Sequence, residues 1–559
     1  MLHVAPTSVK APFADLPLVV GVSGHRNTPP DAEAPLRQRF GEVLDRLRSR
    51  YPSMPLLVLS GLAAGADMLA AEEAFSRDIP VLGCLPVPQA EYEGDFTPDE
   101  LDRFRRAVPR CWDVFVVGTS GQRDQGYVDV AMFIAYYCDV LVAFWDGQPA
   151  RGHGGTAEVV ELRRGGLPSA LGEALVAYQP DTGPVFHIVT PRRDQARPAD
   201  CFALREIYPE DPGWSDDGEK AAQSAGRREF ETTLACLERF NRDLSGEPAP
   251  ARAGTLAALR DRADAAANKL QVRTLRSLKS VYIATALAGA AQLVLPTDGS
   301  FGIPSWVGIA ARIGFLAVAI AVLIVAKRSD YENRYQDYRA VAEALRVQHA
   351  WCCAGLSDRL VEASYLQMQQ SELEWIRMAL RTAYLISGAG TQCGEGSPAH
   401  PDCADWISGQ LRYYEKSGKR EDRNLRAARV AMIALPVAGA LLSAGAALFV
   451  WMLSHGWLAV PAPHVASLSH TLTYWATMPF ALGGLLALWL RFYIQQRGIA
   501  ENARRYEHMF AVFGAARRRL LEPGRDARKV LEQLGHESLS EHAEWLILHR
   551  ERPLEFVHT

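Results

Sequence analysis

Three short segments combine glycines with side chains able to hold an anion. The first is Gly21-Val-Ser-Gly24-His25-Arg26. Glycine lets backbone N–H groups come close to a phosphate, and Arg26 can pair with one in bidentate fashion; a plain tight turn accounts for the same residues equally well. The second is Ser60-Gly61-Leu-Ala-Ala-Gly65-Ala-Asp67, leading into a helical stretch Met68–Phe75. A glycine turn opening onto a helix N-terminus suits phosphate, and Asp67 either meets the ligand or caps the helix. The third is Gly152-His-Gly154-Gly155-Thr156-Ala-Glu158. Thr156 can donate to phosphate, while Glu158, in a first helical turn, either contacts a ribose or glycosidic centre or is simply stabilised by the helix dipole. A fourth segment, Arg123-Asp124-Gln-Gly126-Tyr127, reads as a loop offering a cationic and aromatic wall, or as a solvated loop and nothing more. Together with Asp146, which follows a strand, the candidate ligand-binding set is Gly24, His25, Arg26, Ser60, Gly61, Gly65, Asp67, Arg123, Tyr127, Asp146, Gly154, Gly155, Thr156 and Glu158. No catalytic residue is assigned; if the chain is an enzyme, Glu158 and Arg123 are the candidates.

Strands must position these turns. Apolar, β-branched runs at Leu18–Val22, Leu56–Ser60, Ile79–Leu85, Val114–Val117, Val140–Trp145 and Val185–Val189 alternate with helical stretches. That alternation predicts a parallel sheet covered on both faces, a Rossmann-like α/β domain over residues 17–243. In such sheets ligands sit beyond the carboxyl ends of the strands, where the glycine segments fall. A linker rich in Pro, Gly and small residues follows at 244–254.

Beyond the linker the chain reads as helical, with four apolar runs at 281–296, 306–326, 430–453 and 472–490. A bilayer span needs about 20 apolar residues. Arg273, Arg276, Lys279, Lys327, Arg328, Arg426, Arg429, Arg491 and Arg497 flank the runs, whereas the hairpin loops 297–305 and 454–471 contain no Lys or Arg. The positive-inside rule then places both termini in the cytoplasm of a multi-pass membrane protein. Arg312 stands near one end of its run and can snorkel to the interface. The back half reads as a duplication: residues 255–385, a loop at 386–405, and residues 406–559, each unit a two-span hairpin between cytoplasmic helices.

Composition narrows the field. A net charge of −4 supplies no global basic field for nucleic acid, and nine cysteines without regular spacing make no disulfide framework. No Walker lysine motif occurs. Cys393, His400 and Cys403 lie in a Gly/Pro-rich segment without an evident fourth zinc ligand, and Cys352-Cys353 on a helix reads as packing, so no metal is expected.

The front segments resemble the SLOG superfamily, which groups the DNA-processing protein DprA with the nucleotide-hydrolysing LOG proteins. Ser60-Gly-Leu-Ala-Ala-Gly-Ala-Asp67 is similar to the DprA-type glycine signature. Gly154-Gly-Thr-Ala-Glu158 is similar to the LOG-type signature but lacks its leading proline. The back half resembles the SLATT membrane modules of bacterial defence islands, on Tyr338-Arg-Ala-Val-Ala-Glu-Ala-Leu-Arg346 with Trp351 and on Glu544–Glu555. The resemblance implies a nucleotide-messenger-gated effector that perforates the inner membrane in antiphage defence, with a cyclic nucleotide or ADP-ribose-type ligand and no cofactor. Four spans enclose a pore only as part of a symmetric homo-oligomer. The alternative it implies is a membrane-tethered nucleotide N-glycosidic hydrolase of LOG type.

Overall fold

The structure is a computed structural model that describes residues 13–117, 123–149, 154–165, 183–208, 218–246, 256–295, 304–356, 359–366, 370–387, 397–398, 400–455, 457 and 462–550. Gly152, His153, Cys393 and the linker from residue 247 to its end lie outside the described residues. The chain divides into two compact units. One comprises Met1–Ala266, Asp337–Cys403 and Leu531–Glu544; the other comprises Ala267–Gln336, Ala404–Val530 and Trp545–Thr559. The units cut across the segments read from the sequence, because helices of the back half belong to the first.

The first unit is built on a seven-stranded sheet. Its elements run β1 (Leu18–Gly24), α1 (Glu33–Arg50), β2 (Leu56–Ser60), α2 (Ala66–Ser76), β3 (Val81–Leu85), α3 (Gln89–Tyr92), α4 (Pro98–Ala107), β4 (Asp113–Val116), α5 (Arg123–Tyr137), β5 (Val140–Trp145), α6 (Thr156–Gly165), β6 (Val185–Val189), β7 (Leu204–Ile207) and α7 (Gly218–Leu244). The spatial order is β4-β3-β2-β1-β5-β6-β7. All neighbours pair in parallel except β6 and β7. The strands at the centre are continuous apolar runs because both faces are covered: Val19, Val20, Leu57, Val58, Leu141 and Val142 are fully buried. The chain steps outward from β1 to β4, then crosses back to place β5 on the other side of β1, so the strand order reverses between β1 and β5.

Two sequence expectations are corrected here. A seventh strand exists that the apolar pattern does not reveal: β7 reads Leu-Arg-Glu-Ile and pairs antiparallel with β6, Glu206 opposite Phe186 and Arg205 opposite His187. It lies at the sheet edge, where charge is tolerated and guards against edge-to-edge pairing. The Arg123–Tyr127 segment is the beginning of α5 and not a loop. Val130, Phe133, Ile134 and Tyr137 recur at helical spacing on its buried face, and Asp124 suits the first turn, so the helix extends through Gly126.

Later helices complete this unit. Asn241 of α7 donates from Nδ2 to Leu16 O at 2.8 Å and Ser53 O at 3.1 Å, and accepts the Leu16 N–H at 3.2 Å. Further along the chain lie α8 (Leu256–Val294), α9 (Ser305–Ser329), α10 (Tyr331–Cys353) and α11 (Gln370–Ser387). Phe240 meets Tyr338 of α10 and Trp375 of α11 at ring-centroid distances of 5.0 and 5.5 Å. On α10 the carboxylate of Glu343 sits between Arg339, at 2.8 Å, and Arg346. Burial raises the Glu343 pKa, but the two guanidinium charges outweigh it and hold the carboxyl at about 2.

The second unit is helical. Beyond the later part of α8 and all of α9 it contains α12 (Pro401–Ser454, whose first residues belong to the first unit), α13 (Ala462–Gln496), α14 (Ile499–Leu520) and part of α15 (Ala527–Arg550). Among the described residues, four helical segments are long and apolar enough to cross a membrane: Leu256–Val294, Trp306–Ser329, Pro401–Ser454 and Ala476–Leu520. Protein covers little of them. Only 28%, 11%, 6% and 11% of their apolar windows is buried, and Ile313, Ile320, Ile433, Leu441 and Leu442 face outward. Helices of a soluble core would hide these residues. α12 and α13 approach closely through glycine, since a Cβ on Gly439 would lie 2.3 Å from Pro479 O and one on Gly483 2.5 Å from Leu435 O. Arg312 donates to Leu295 O, just past the end of α8, at 2.8 Å.

Candidate functional site

A cleft of about 530 Å³ opens at the carboxyl ends of β1 and β2. It lies where the strand order reverses, the position at which an open parallel sheet leaves a crevice between connections running in opposite directions. Of the candidate residues, Gly24, His25, Arg26, Gly61, Asp67, Arg123, Tyr127, Gly154, Gly155 and Thr156 line it. Ser60, Gly65, Asp146 and Glu158 stand behind the wall.

Those four residues shape the turns. Ser60 Oγ donates to Asp67 O at 3.3 Å and accepts the Leu62 N–H at 3.1 Å, bridging the turn between β2 and α2. Gly65 has φ of +82°, and a Cβ there would lie 2.5 Å from both His25 O and Arg26 O. Only glycine lets the β2–α2 turn dock against the end of β1. The next residue completes that contact, the Ala66 N–H donating to His25 O at 3.1 Å. Asp146 Oδ1 lies 3.2 Å from His25 Nε2, and its Oδ2 lies 2.6 Å from Arg192 Nε. The His25 ring also accepts the Asp146 N–H at 2.9 Å. Burial raises the Asp146 pKa, but the Gln148 N–H and the charge of Arg192 hold it below the usual carboxylate value. Glu158 Oε2 accepts the Gly154 N–H at 2.6 Å, within its own turn. Gly154 has φ of +73°, and a Cβ on it would lie 2.9 Å from the backbone of Tyr127, so α6 opens directly against α5.

Polar groups on the wall fall into two clusters. One is centred on Asp95, which the sequence patterns do not single out. Its carboxylate receives Arg123 and the Tyr127 hydroxyl, while Arg26 Nη1 lies 3.8 Å away. Arg26 is half-exposed and stacks over the Tyr127 ring at 5.1 Å. The other cluster is Asp67, in the first turn of α2 but not its cap, which is Gly65. Asp67 is 7% exposed, and its Oδ1 has no hydrogen-bond partner among the described residues. Burial is the main cause of its raised pKa, which reaches about 7 despite the opposing charge of Arg26 and the Gly24 and Ala63 N–H groups. Tyr92, whose hydroxyl donates to Gly61 O at 3.1 Å, closes the floor. Desolvation pushes its phenol well above the ordinary value.

Arg192, Asp95 and Tyr92 are the polar wall residues that the motifs do not contain. Tyr92 carries a weak signal as an aromatic following β3 on the same rim. Asp95 and Arg192 carry none, because neither lies in a glycine segment that links a strand to a helix. The wall brings together two glycine turns that open helices, three arginines and an aromatic ring. That set can hold a phosphate or carboxylate group beside a flat ring.

Comparison with models of known protein families gives no match, and comparison with curated proteins gives none either.

Proposed function

We propose that this chain is a membrane effector gated by a nucleotide-derived messenger, bound in the cleft of the sheet domain. The observation that carries this reading is the crevice between β1 and the crossing α5–β5 connection, walled by Arg26, Arg123, Arg192 and the Gly154-Gly155-Thr156 turn. A volume of about 530 Å³ suits a ligand of nucleotide size. Arg26 and Thr156 take the phosphate, and Tyr127 offers a face to the base. Exposure of the four apolar segments supports a bilayer as their natural surroundings. The effector acts as a homo-oligomer in the inner membrane, with both termini cytoplasmic, and permeabilises it when the messenger arrives. For gating, the ligand must bind the open form more tightly than the closed one. The resemblance to SLOG and SLATT modules supports the same reading.

The experiment is dye release from proteoliposomes containing the full-length chain, challenged with cyclic dinucleotides and ADP-ribose derivatives, alongside mass spectrometry of small molecules that copurify. Nucleotide-dependent leakage abolished by Arg26→Ala supports gating. A nucleotide that binds without leakage at any concentration sinks it.

One observation favours a second reading, a membrane-tethered nucleotide hydrolase. A buried carboxyl that titrates near 7 and faces a cleft is suited to move a proton in catalysis. On that reading Asp67 is the better candidate than Glu158, whose carboxylate is engaged by the Gly154 N–H. Release of free base from the bound nucleotide, lost in Asp67→Asn, selects the hydrolase.

A further inference from the structure

Away from the cleft, still in the first unit, three donor atoms of different chemistry converge. His349 and Cys353 occupy the last turn of α10 at i and i+4, and so share a face. Asp402 lies in the first turn of α12. His349 Nε2 is 3.2 Å from Asp402 Oδ2, Cys353 Sγ is 3.8 Å from His349 Nε2, and Cys353 Sγ is 3.7 Å from Asp402 Oδ2. Zinc bonds of about 2.3 Å to sulfur and about 2.0–2.2 Å to nitrogen and oxygen, at tetrahedral angles, set such donors about 3.3–3.6 Å apart. Each observed edge is within a few tenths of an ångström of that range, without a metal to draw the atoms together.

We propose that His349 Nε2, Cys353 Sγ and Asp402 Oδ2 form a zinc site, with a solvent oxygen as fourth ligand. On binding, the thiol releases its proton to solvent, and the thiolate and carboxylate together neutralise the dication. That neutrality matters because Cys353 is fully buried. Access is preserved because the Asp402 side chain is half-exposed. Burial and the nearby charge of Arg260 lower the His349 pKa, against the pull of Asp402. The turn bearing Asp402 is held in place: its N–H donates to His400 Nδ1 at 3.2 Å, and the Ser397 N–H donates to Cys353 O at 2.9 Å. A thiolate with imidazole and carboxylate selects zinc over magnesium or calcium, which favour all-oxygen sets. The neighbouring Cys403 is not a ligand, since its thiol points to Ala350 O at 3.6 Å.

The site is tested on the purified full-length chain in detergent, stripped of metal, loaded with Zn²⁺ and dialysed. One zinc per chain is expected by elemental analysis. Cys353→Ser and Asp402→Asn should each weaken binding by more than the roughly 10–100-fold that outer partners of metal ligands are worth, while Cys403→Ser keeps the metal. Loading the wild-type chain with Co²⁺ should produce a thiolate-to-cobalt charge-transfer absorption, a readout that needs no variant to fold. Wild-type protein that loses its zinc on dialysis, a Co²⁺ form lacking that absorption, or full retention by Cys353→Ser overturns the proposal.

Discussion

Asp67 sits at a buried corner of the cleft with a pKa of about 7 against an ordinary 3.8. In the unfolded chain it ionises near 3.8, whereas in the folded chain it stays protonated until about 7. Between those values the folded state holds the extra proton, so stability falls as pH rises. At about 1.4 kcal/mol per unit, the shift amounts to roughly 4 kcal/mol, fully present as stabilisation below pH 3.8 and lost once pH passes about 7. Asp67→Asn keeps the shape without the titration, so its stability should not decline over this window. Because the chain has two compact units, global melting is the wrong gauge; hydrogen exchange at β1, β2 and α2 amides reads the local opening free energy. From about pH 5 to about pH 8, wild-type protection should drop by up to about 1.4 kcal/mol per pH unit relative to the variant. An anionic ligand should also bind more weakly to the wild type as pH rises through about 7, and the variant should level that trend. Parallel wild-type and Asp67→Asn profiles would refute the burial argument.

Three further outcomes follow from packing. Gly65→Ala should cost about 2–5 kcal/mol, combining left-handed strain with a backbone clash, whereas Gly147→Ala, at φ +80° with open space around it, should cost only the strain of about 1–2 kcal/mol; the same exchange experiment compares them. Glu343→Gln removes the carboxylate that Arg346 pairs with, while Arg339 keeps Asp264, and should destabilise the first unit by about 3–5 kcal/mol, measured as protease susceptibility of α10. Leu441→Asp, at an exposed position in the middle of the third apolar segment, should add about 3–4 kcal/mol to membrane insertion, and unchanged insertion in a glycosylation-mapping assay counts against a span there.

Local pattern suffices wherever the determining contacts are near in sequence. The runs Val19–Val22 and Val140–Phe144 declare themselves as buried strands by unbroken apolar content. The four apolar segments declare themselves by length, and the turns around Gly65 and Gly154 by glycine between strand and helix. Charged β7 and the helical start at Arg123 escape that logic, because edge position and a neighbour's packing override intrinsic preference. The cleft's chemistry needed the tertiary fold. Strand order brings Asp95 to Arg26, Arg123 and Tyr127, and Asp146 to His25 and Arg192. Burial, which no residue type reports by itself, moves the carboxyl of Asp67 from a group ionised at neutral pH to one poised there. The convergence of His349, Cys353 and Asp402 is likewise invisible in spacing, since 49 residues separate Cys353 from Asp402 and only the antecedent packing of two helix ends closes that gap. Periodicity is a property of neighbours along the chain, whereas a site is a property of neighbours in space.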